Sequence, residues 1–151
     1  MLQLLREDNV EENGEKASIT MADRTVTGSI ETDITSEKIM RVLLDPRMIP
    51  LWAPNFADEV VPADTQWQVR KGDQRFLMTL ECDVSFEIVN YLREISPGIQ
   101  GGAYMRVLPR PGGGSVIVMT LPVPMSRSQS EMVGVLEEEL SELIRMSTRQ
   151  N

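Results

Sequence analysis

The chain has no histidine and only one cysteine, Cys82, among its 151 residues. Without histidine it lacks the usual general base near neutral pH, the commonest metal ligand and the usual partner of serine and cysteine nucleophiles. One cysteine excludes an intrachain disulfide and argues against a structural zinc site. We therefore expect no metal and no cofactor. Any catalysis would have to come from carboxylates, tyrosines, lysines or arginines in an unusual environment.

Positive charge and long apolar runs are also scarce. Fifteen Lys and Arg stand against 23 Asp and Glu, for a formal charge of −8, and no basic cluster is visible. This charge repels phosphate backbones and anionic membranes, so we expect no nucleic-acid partner. The longest apolar runs are far shorter than the roughly 20 residues of a spanning helix, and no secretion signal is present. These features predict no integral membrane segment and a cytoplasmic location.

The strongest pattern in the chain is the alternation between Arg75 and Ile88. Apolar side chains occupy every second position, namely Phe76, Met78, Leu80, Cys82, Val84, Phe86 and Ile88. The residues between them are polar except for Leu77. Because side chains on a strand point alternately to opposite faces, the pattern predicts an antiparallel sheet with one dry and one wet face. No glycine lies between Cys82 and Ser85 to make a tight turn, so one continuous bent strand is an alternative to two strands there.

At this length we expect a single domain, and we divide the chain into an extension, residues 1–20, and one domain, residues 21–151. Strand-like alternation begins at Val26, and Thr35 is a plausible N-cap for a helix to about Leu44. Prolines allow only a short helical turn over residues 47–56. Further strands are predicted near residues 58–62, 65–71, 74–82, 86–95, 101–108 and 115–121, with glycine turns at Gly72 and at residues 112–114.

The last element is the clearest helix, from about Ser128 to Ser147. Ser128 and Glu131 have the spacing of a capping box. Apolar residues cover about half the circumference of this helix, so it has a wide dry face that is suited to cover the sheet. Glu139 projects within that apolar arc, whereas Glu137 and Glu138 point outward.

This order of elements resembles the START-like or SRPBCC superfamily, also called the helix-grip fold. The stretch from Gly28 to Asp45, followed by Trp52-Ala-Pro54, is similar to its polyketide cyclase/dehydrase and lipid-transport subgroup. So is the hairpin from Pro109 to Ser115. Two departures are Thr35-Ser36, where the family often has Ala-Pro, and the N-terminal extension. The resemblance implies an α+β fold in which a curved antiparallel sheet of about seven strands wraps around a long C-terminal helix, with two short helices after the first strand.

The fold that the resemblance implies contains an apolar cavity between the sheet and the terminal helix. The residues expected to face this interior are large and apolar or aromatic: Trp52, Phe56, Trp67, Phe76, Met78, Leu80, Tyr91, Met105, Met119, Met132, Leu136 and Leu140. They could line a pocket for a hydrophobic ligand or simply fill the core. Ten methionines favour the pocket slightly, because flexible thioether chains suit adaptable apolar surfaces.

Few polar groups are candidates for chemistry in such a cavity. Tyr91, Arg93 and Glu139 are the candidate catalytic residues, with Tyr91 the preferred inward hydroxyl; Tyr104 and Arg106 could also orient a polar ligand head. Glu139 either reaches water at the edge of the apolar stripe or is buried with a raised pKa. Cys82 is expected to be a small buried hydrophobe and not a nucleophile.

Three functions remain open from the sequence. The first is binding or transport of a small hydrophobic, lipid-like or polyketide-like molecule. The second is a cofactor-independent polyketide cyclase or aromatase-like enzyme, in which Tyr91, Arg93 or Glu139 moves protons. The third is a structural partner protein whose own side chains fill the space. We expect the protein to be a monomer or a homodimer.

Overall fold

The computed structural model describes residues 24–150, apart from the side chains at positions 95 and 96. The predicted N-terminal extension, residues 1–20, and the start of the predicted domain therefore lie outside the described residues. The first described element is strand β1, Thr25–Thr32. Its inward positions carry Val26, Gly28 and Ile30, which confirms the strand that the alternation predicts.

Two short helices follow β1. Helix α1, Ser36–Leu43, begins at the Thr35 N-cap, whose side chain accepts a hydrogen bond from the Lys38 backbone N–H. Asp45 then caps a single 3-10 turn, Pro46–Met48, which leads into α2, Ile49–Trp52. The prolines in this segment limit the 3-10 turn and α2 to a single turn each, because proline has no backbone N–H to donate.

Seven antiparallel strands form one sheet in the order β1-β7-β6-β5-β4-β3-β2. The strands after β1 are β2 Glu59–Ala63, β3 Gln66–Lys71, β4 Gln74–Asp83, β5 Ile88–Ser96, β6 Ile99–Pro109 and β7 Ser115–Pro122. Each predicted strand is present within a few residues of its expected bounds. The α+β helix-grip architecture that the resemblance implies is confirmed.

The C-terminal helix α3, Gln129–Thr148, begins with the predicted capping box. The Ser128 side chain accepts from the Glu131 N–H, and the Glu131 carboxylate accepts from the Ser128 N–H. The helix packs mainly on β1 and β7 and on the two short helices. Gly28 permits this approach, because a Cβ there would lie 2.5 Å from a methyl carbon of Leu136.

The second half of the alternating run forms two strands, as the predicted bounds have it, and not the continuous strand that was the alternative. The continuous bent strand is absent: Asp83 caps a 3-10 turn, Val84–Phe86, and Glu87 adopts a positive φ of 54° that reverses the chain into β5. Cys82 is exposed, not buried. The reason is that β3 pairs with β4 only as far as Met78, so little covers the far end of β4. Phe86 is 71% exposed.

Candidate functional site

The twelve side chains predicted to line an interior cavity all belong to one apolar cluster. Eight are buried: Trp52, Met78, Tyr91, Met105, Met119, Met132, Leu136 and Leu140. The other four, Phe56, Trp67, Phe76 and Leu80, are only partly buried and pack against that core. Most of the predicted lining thus contributes to packing between the sheet and the helices. A ligand role for the set stays a prediction.

The four half-buried residues form a patch, here called the inner patch. Trp67 lies opposite Met78 in the β3–β4 ladder, and Leu80 lies opposite Tyr91 in the β4–β5 ladder. Met78 and Tyr91 are buried, so Trp67 and Leu80 share the face of the sheet that carries the core. The Phe56 ring meets the Phe76 ring nearly edge-on, with 5.6 Å between centroids. Helix α3 packs mainly on the opposite half of the sheet, which leaves the inner patch half-exposed.

Arg93 extends the inner patch on β5. It lies two residues after Tyr91, so its side chain points to the same face. The guanidinium carbon lies 3.9 Å from the centroid of the Phe76 ring, a cation–π contact. Its Nε atom is buried and has no hydrogen-bond acceptor among the described residues. Arg93 therefore presents an uncompensated cation beside an apolar surface.

Tyr91 points inward as predicted, but its hydroxyl already has a partner. The ring is 4% exposed, and the hydroxyl donates a 2.6 Å hydrogen bond to the Leu43 carbonyl at the end of α1. Burial raises the pKa of the phenol well above its ordinary value. This contact ties α1 to the sheet, so Tyr91 is primarily a structural residue. The Trp52 ring lies 6.0 Å from the Tyr91 ring, and its indole N–H is buried without an acceptor in the described chain.

Glu139 is the second inward polar candidate and is 5% exposed. Desolvation, with a smaller contribution from the charge of Glu138, raises its pKa from 4.5 to about 7. Of the two alternatives that the sequence left open for Glu139, burial with a raised pKa is therefore the observed one. Its neighbour Glu138 instead faces outward and accepts a 3.0 Å hydrogen bond from the Asn55 amide.

Tyr104 and Arg106 do not join the site. Both are exposed on the opposite face of the sheet, on either side of buried Met105. With Asn90 and Thr120 they border a shallow hollow of about 370 Å³ on that face. The strand pairing separates them from Tyr91 and Arg93, because successive residues of β6 alternate between the two faces.

A groove of about 430 Å³, here called the edge groove, lies between β1 and α3. It is lined by Val26, Thr27, Gly28, Ser29, Ile30, Val133, Leu136, Glu137, Leu140 and Ser141. Only Leu136 and Leu140 were predicted to contact a ligand. The β1 contribution was missed, although a glycine within a strand was a usable signal of close helix–strand approach.

The chain is similar in structure to several solved proteins. An uncharacterised protein from Bacillus thuringiensis gives a TM-score of 0.62 at 14% identity, covering 82% of this chain and 98% of its own. Protein XoxI from Bacillus cereus gives 0.61 at 13% identity, covering 83% and 96%. A START superfamily protein from Mycobacterium smegmatis gives 0.55 at 13% identity, covering 84% and 97%.

The chain has the START-like fold. This fold agrees with the resemblance that the sequence motifs carry. No protein-family model matches the sequence, and no curated protein sequence matches it. At these identities the comparison establishes the fold alone, and function depends on the site itself.

Two further features describe this START-like domain. Within residues 24–150, no group of three or more Cys, Asp or Glu side chains comes together in a way that could hold a metal ion. None of the helices in the described part of the chain is long and apolar enough to cross a membrane.

Proposed function

We propose that this START-like domain binds a small hydrophobic molecule on the inner patch, on the face of the sheet that also carries the C-terminal helix. The observation that supports the proposal best is the half-exposure of Phe56, Trp67, Phe76 and Leu80 on the face that elsewhere forms the core. Large apolar side chains gathered on an inner face are typical of small-molecule sites. A ligand there would complete the burial of the patch.

The edge groove is the competing location, and burial argues against it. Its floor residues Val26, Leu136 and Leu140 are 7%, 3% and 3% exposed, so packing has already removed them from water. Of the other apolar lining residues, Val133 is 42% exposed and Ile30 is partly buried, so a ligand in the edge groove would cover fewer large apolar side chains than one on the inner patch. Since apolar binding energy scales with the area removed from water, the inner patch is the better site.

The expected affinity is modest. Covering about 300 Å² of apolar ligand surface contributes a gross gain of about 7 kcal/mol at 25 cal/mol per Å². Association and side-chain ordering offset a large part of this gain. Micromolar binding at best is therefore expected, which fluorescence titration measures readily.

Leu80→Lys should weaken the binding of the neutral apolar dye Nile red by about tenfold or more, because a bound dye would have to desolvate the new ammonium group. The measurement is dye emission during titration. Trp67 supplies a second readout: its emission should shift to shorter wavelength on binding, whereas that of buried Trp52 should not. The shift should be lost in Trp67→Phe.

Val133→Lys is the matched control, since Val133 lines the edge groove and is 42% exposed. Dye affinity should be unchanged in this variant. Loss of binding in Val133→Lys but not in Leu80→Lys would place the ligand in the edge groove and contradict the proposal. No binding to the wild-type protein would favour the third function, a structural partner protein with a filled core.

Glu139 favours a second candidate function, a cofactor-independent proton-transfer enzyme of the polyketide cyclase type. A carboxyl with a pKa of about 7 is suited to act as an acid and a base near neutral pH. The Tyr91 hydroxyl is less suited, because it donates to the Leu43 carbonyl. In this function an apolar cavity would fold the substrate, and Glu139 would move the proton.

Ring opening of 5-nitrobenzisoxazole, an apolar probe that carboxylate bases deprotonate, tests this second candidate. The wild-type protein should accelerate the reaction above the rate in buffer, and Glu139→Gln should lose at least about 100-fold of that acceleration, the usual contribution of a positioned general base. The outward-facing Glu137→Gln serves as the control and should retain it. Equal rates in wild type and Glu139→Gln would exclude Glu139 as the base.

A further inference from the structure

Within the described part of the chain, Arg93 has no counterion on the inner side of the sheet. Other arginines pair with surface carboxylates: Arg47 with Asp45 at 2.9 Å, for example, and Arg110 with Asp33 at 2.7 Å. Among the described residues, no carboxylate lies within ion-pair distance of Arg93. Other described arginines without a carboxylate partner, such as Arg75 and Arg106, have exposed side chains, so Arg93 differs from them in being half-buried.

Because Arg93 is half-buried, the lack of a carboxylate partner among the described residues is energetically unfavourable. The side chain is half-buried, its Nε is shielded from water, and its guanidinium lies on the Phe76 ring. A guanidinium stays charged at all physiological pH values and carries only donors. Burying such a donor without an acceptor is unfavourable, and the ring face compensates only in part.

We infer that Arg93 is the anchor for an anionic head group, a carboxylate or a phosphate monoester, on the hydrophobic molecule that occupies the inner patch. This inference rests on the proposed function and adds the class of ligand, an anionic amphiphile. The apolar chain would cover Phe76, Phe56 and Leu80, and the head group would accept hydrogen bonds from the guanidinium. The planar fork of arginine matches the two oxygens of such groups.

The arrangement also explains how the charge of Arg93 is held toward the inner patch. Phe76 supports the guanidinium from β4, and the Phe56 ring supports Phe76 from the segment after α2. The guanidinium is thus positioned before a ligand arrives, so little ordering cost is added on binding. An anchor of this kind gives selectivity for head-group charge, whereas the inner patch alone selects only for apolar surface.

Three ligands of equal chain length test the inference: decanoate, decyl phosphate and decanol, each measured by displacement of Nile red. At least one of the two anions should bind the wild-type protein about tenfold or more tightly than decanol, as expected for a charge-assisted hydrogen bond. Arg93→Met should abolish this preference and leave decanol affinity within about twofold, because the apolar contacts remain. The anion that binds more tightly identifies the head group.

Arg75→Met is the matched control. Arg75 is exposed on β4 next to Phe76, so this variant removes the same charge from the opposite face of the sheet. It should keep the preference for the anion, whereas Arg93→Lys should retain part of it. A purely structural role for Arg93 would change the thermal midpoint of unfolding in Arg93→Met without changing the ratio of anion to alcohol affinity.

The possible failures are distinguishable. If neither anion binds more tightly than decanol, or if Arg93→Met retains the preference, the anchor is wrong while the hydrophobic site stands. If Nile red and all three decyl compounds fail to bind the wild-type protein, the proposed function itself is wrong.

Discussion

Glu139→Gln should make the folded protein more stable by about 3 kcal/mol at pH 8 and leave its stability almost unchanged near pH 4.5. In the wild-type protein, burial raises the pKa of Glu139 from 4.5 to about 7. The folded state therefore keeps a proton between these two pH values that the unfolded chain has already released. The free energy of unfolding consequently falls as pH rises through this window and is level above it.

The measurement is urea unfolding at intervals between pH 4.5 and 8, for wild type and variant. The wild-type free energy of unfolding should fall by about 3 kcal/mol across this range, whereas that of Glu139→Gln should stay nearly flat. Asp45, Asp58, Glu131 and Glu142 have lowered pKa values, so their contributions change below this window. The chain has no histidine to add a competing transition.

Glu137→Gln is the control for charge alone. Glu137 is exposed on the same helix, so this variant removes a carboxylate that remains in contact with water. This variant should keep the wild-type slope. If Glu139→Gln also kept that slope, the Glu139 carboxylate would have access to water, and both the raised pKa and the proton-transfer candidate would be wrong.

Gly102→Ala should destabilise the fold by about 3 kcal/mol and lower the unfolding temperature by roughly 10 °C. Gly102 lies on β6 opposite Leu92 of β5. A Cβ at this position would overlap the Tyr91 carbonyl oxygen, which belongs to the backbone and cannot rotate away. The methyl group would have to push β5 and β6 apart, close to the Tyr91 hydrogen bond that holds α1.

Gly134→Ala provides the opposite expectation in the same chain. Gly134 lies within α3, and a Cβ there would have no neighbour within 4 Å. Alanine should therefore stabilise the helix by about 1 kcal/mol, since it has the higher helix propensity. Thermal unfolding of both variants tests the pair. If Gly102→Ala were as stable as the wild-type protein, the β5–β6 ladder would have space for a methyl group, which would contradict the structure.

The two predictions concern the same functional question. The Glu139→Gln variant tests whether the interior next to the C-terminal helix excludes enough water for the Glu139 carboxyl to keep its proton at neutral pH. The Gly102→Ala variant tests whether β5, which carries both Tyr91 and Arg93, is held rigidly by β6. A dry interior and a rigid β5 are what a preorganised ligand site requires.

Much of the secondary structure follows from local sequence. The Thr35 N-cap, the Ser128 and Glu131 capping box and the Gly112–Gly114 turn were all predictable, because caps and tight turns depend on a few neighbouring residues. The β4–β5 turn was less predictable. Glu87 adopts a left-handed conformation there, which is uncommon for a residue other than glycine and leaves no clear sequence signal.

Alternation alone could not identify which apolar residues are covered. Met78 and Cys82 occupy the same face of β4, yet Met78 is fully buried and Cys82 is exposed. The difference arises because β3 pairs alongside Met78 and ends before Cys82, a matter of strand length on a neighbouring element. Periodicity specifies which face a side chain points to, whereas tertiary packing decides whether anything lies over it.

The sequence by itself determined the strands, the capped C-terminal helix and the direction in which Glu139 points, because helix and strand periods assign each side chain to a direction. Only the tertiary structure decided that Glu139 is buried away from water, that the Tyr91 hydroxyl donates to the Leu43 carbonyl, and that Arg93 lies on the Phe76 ring. Desolvation and hydrogen-bond pairing depend on atoms from elements that are distant in sequence. Local sequence patterns do not specify how those elements pack together.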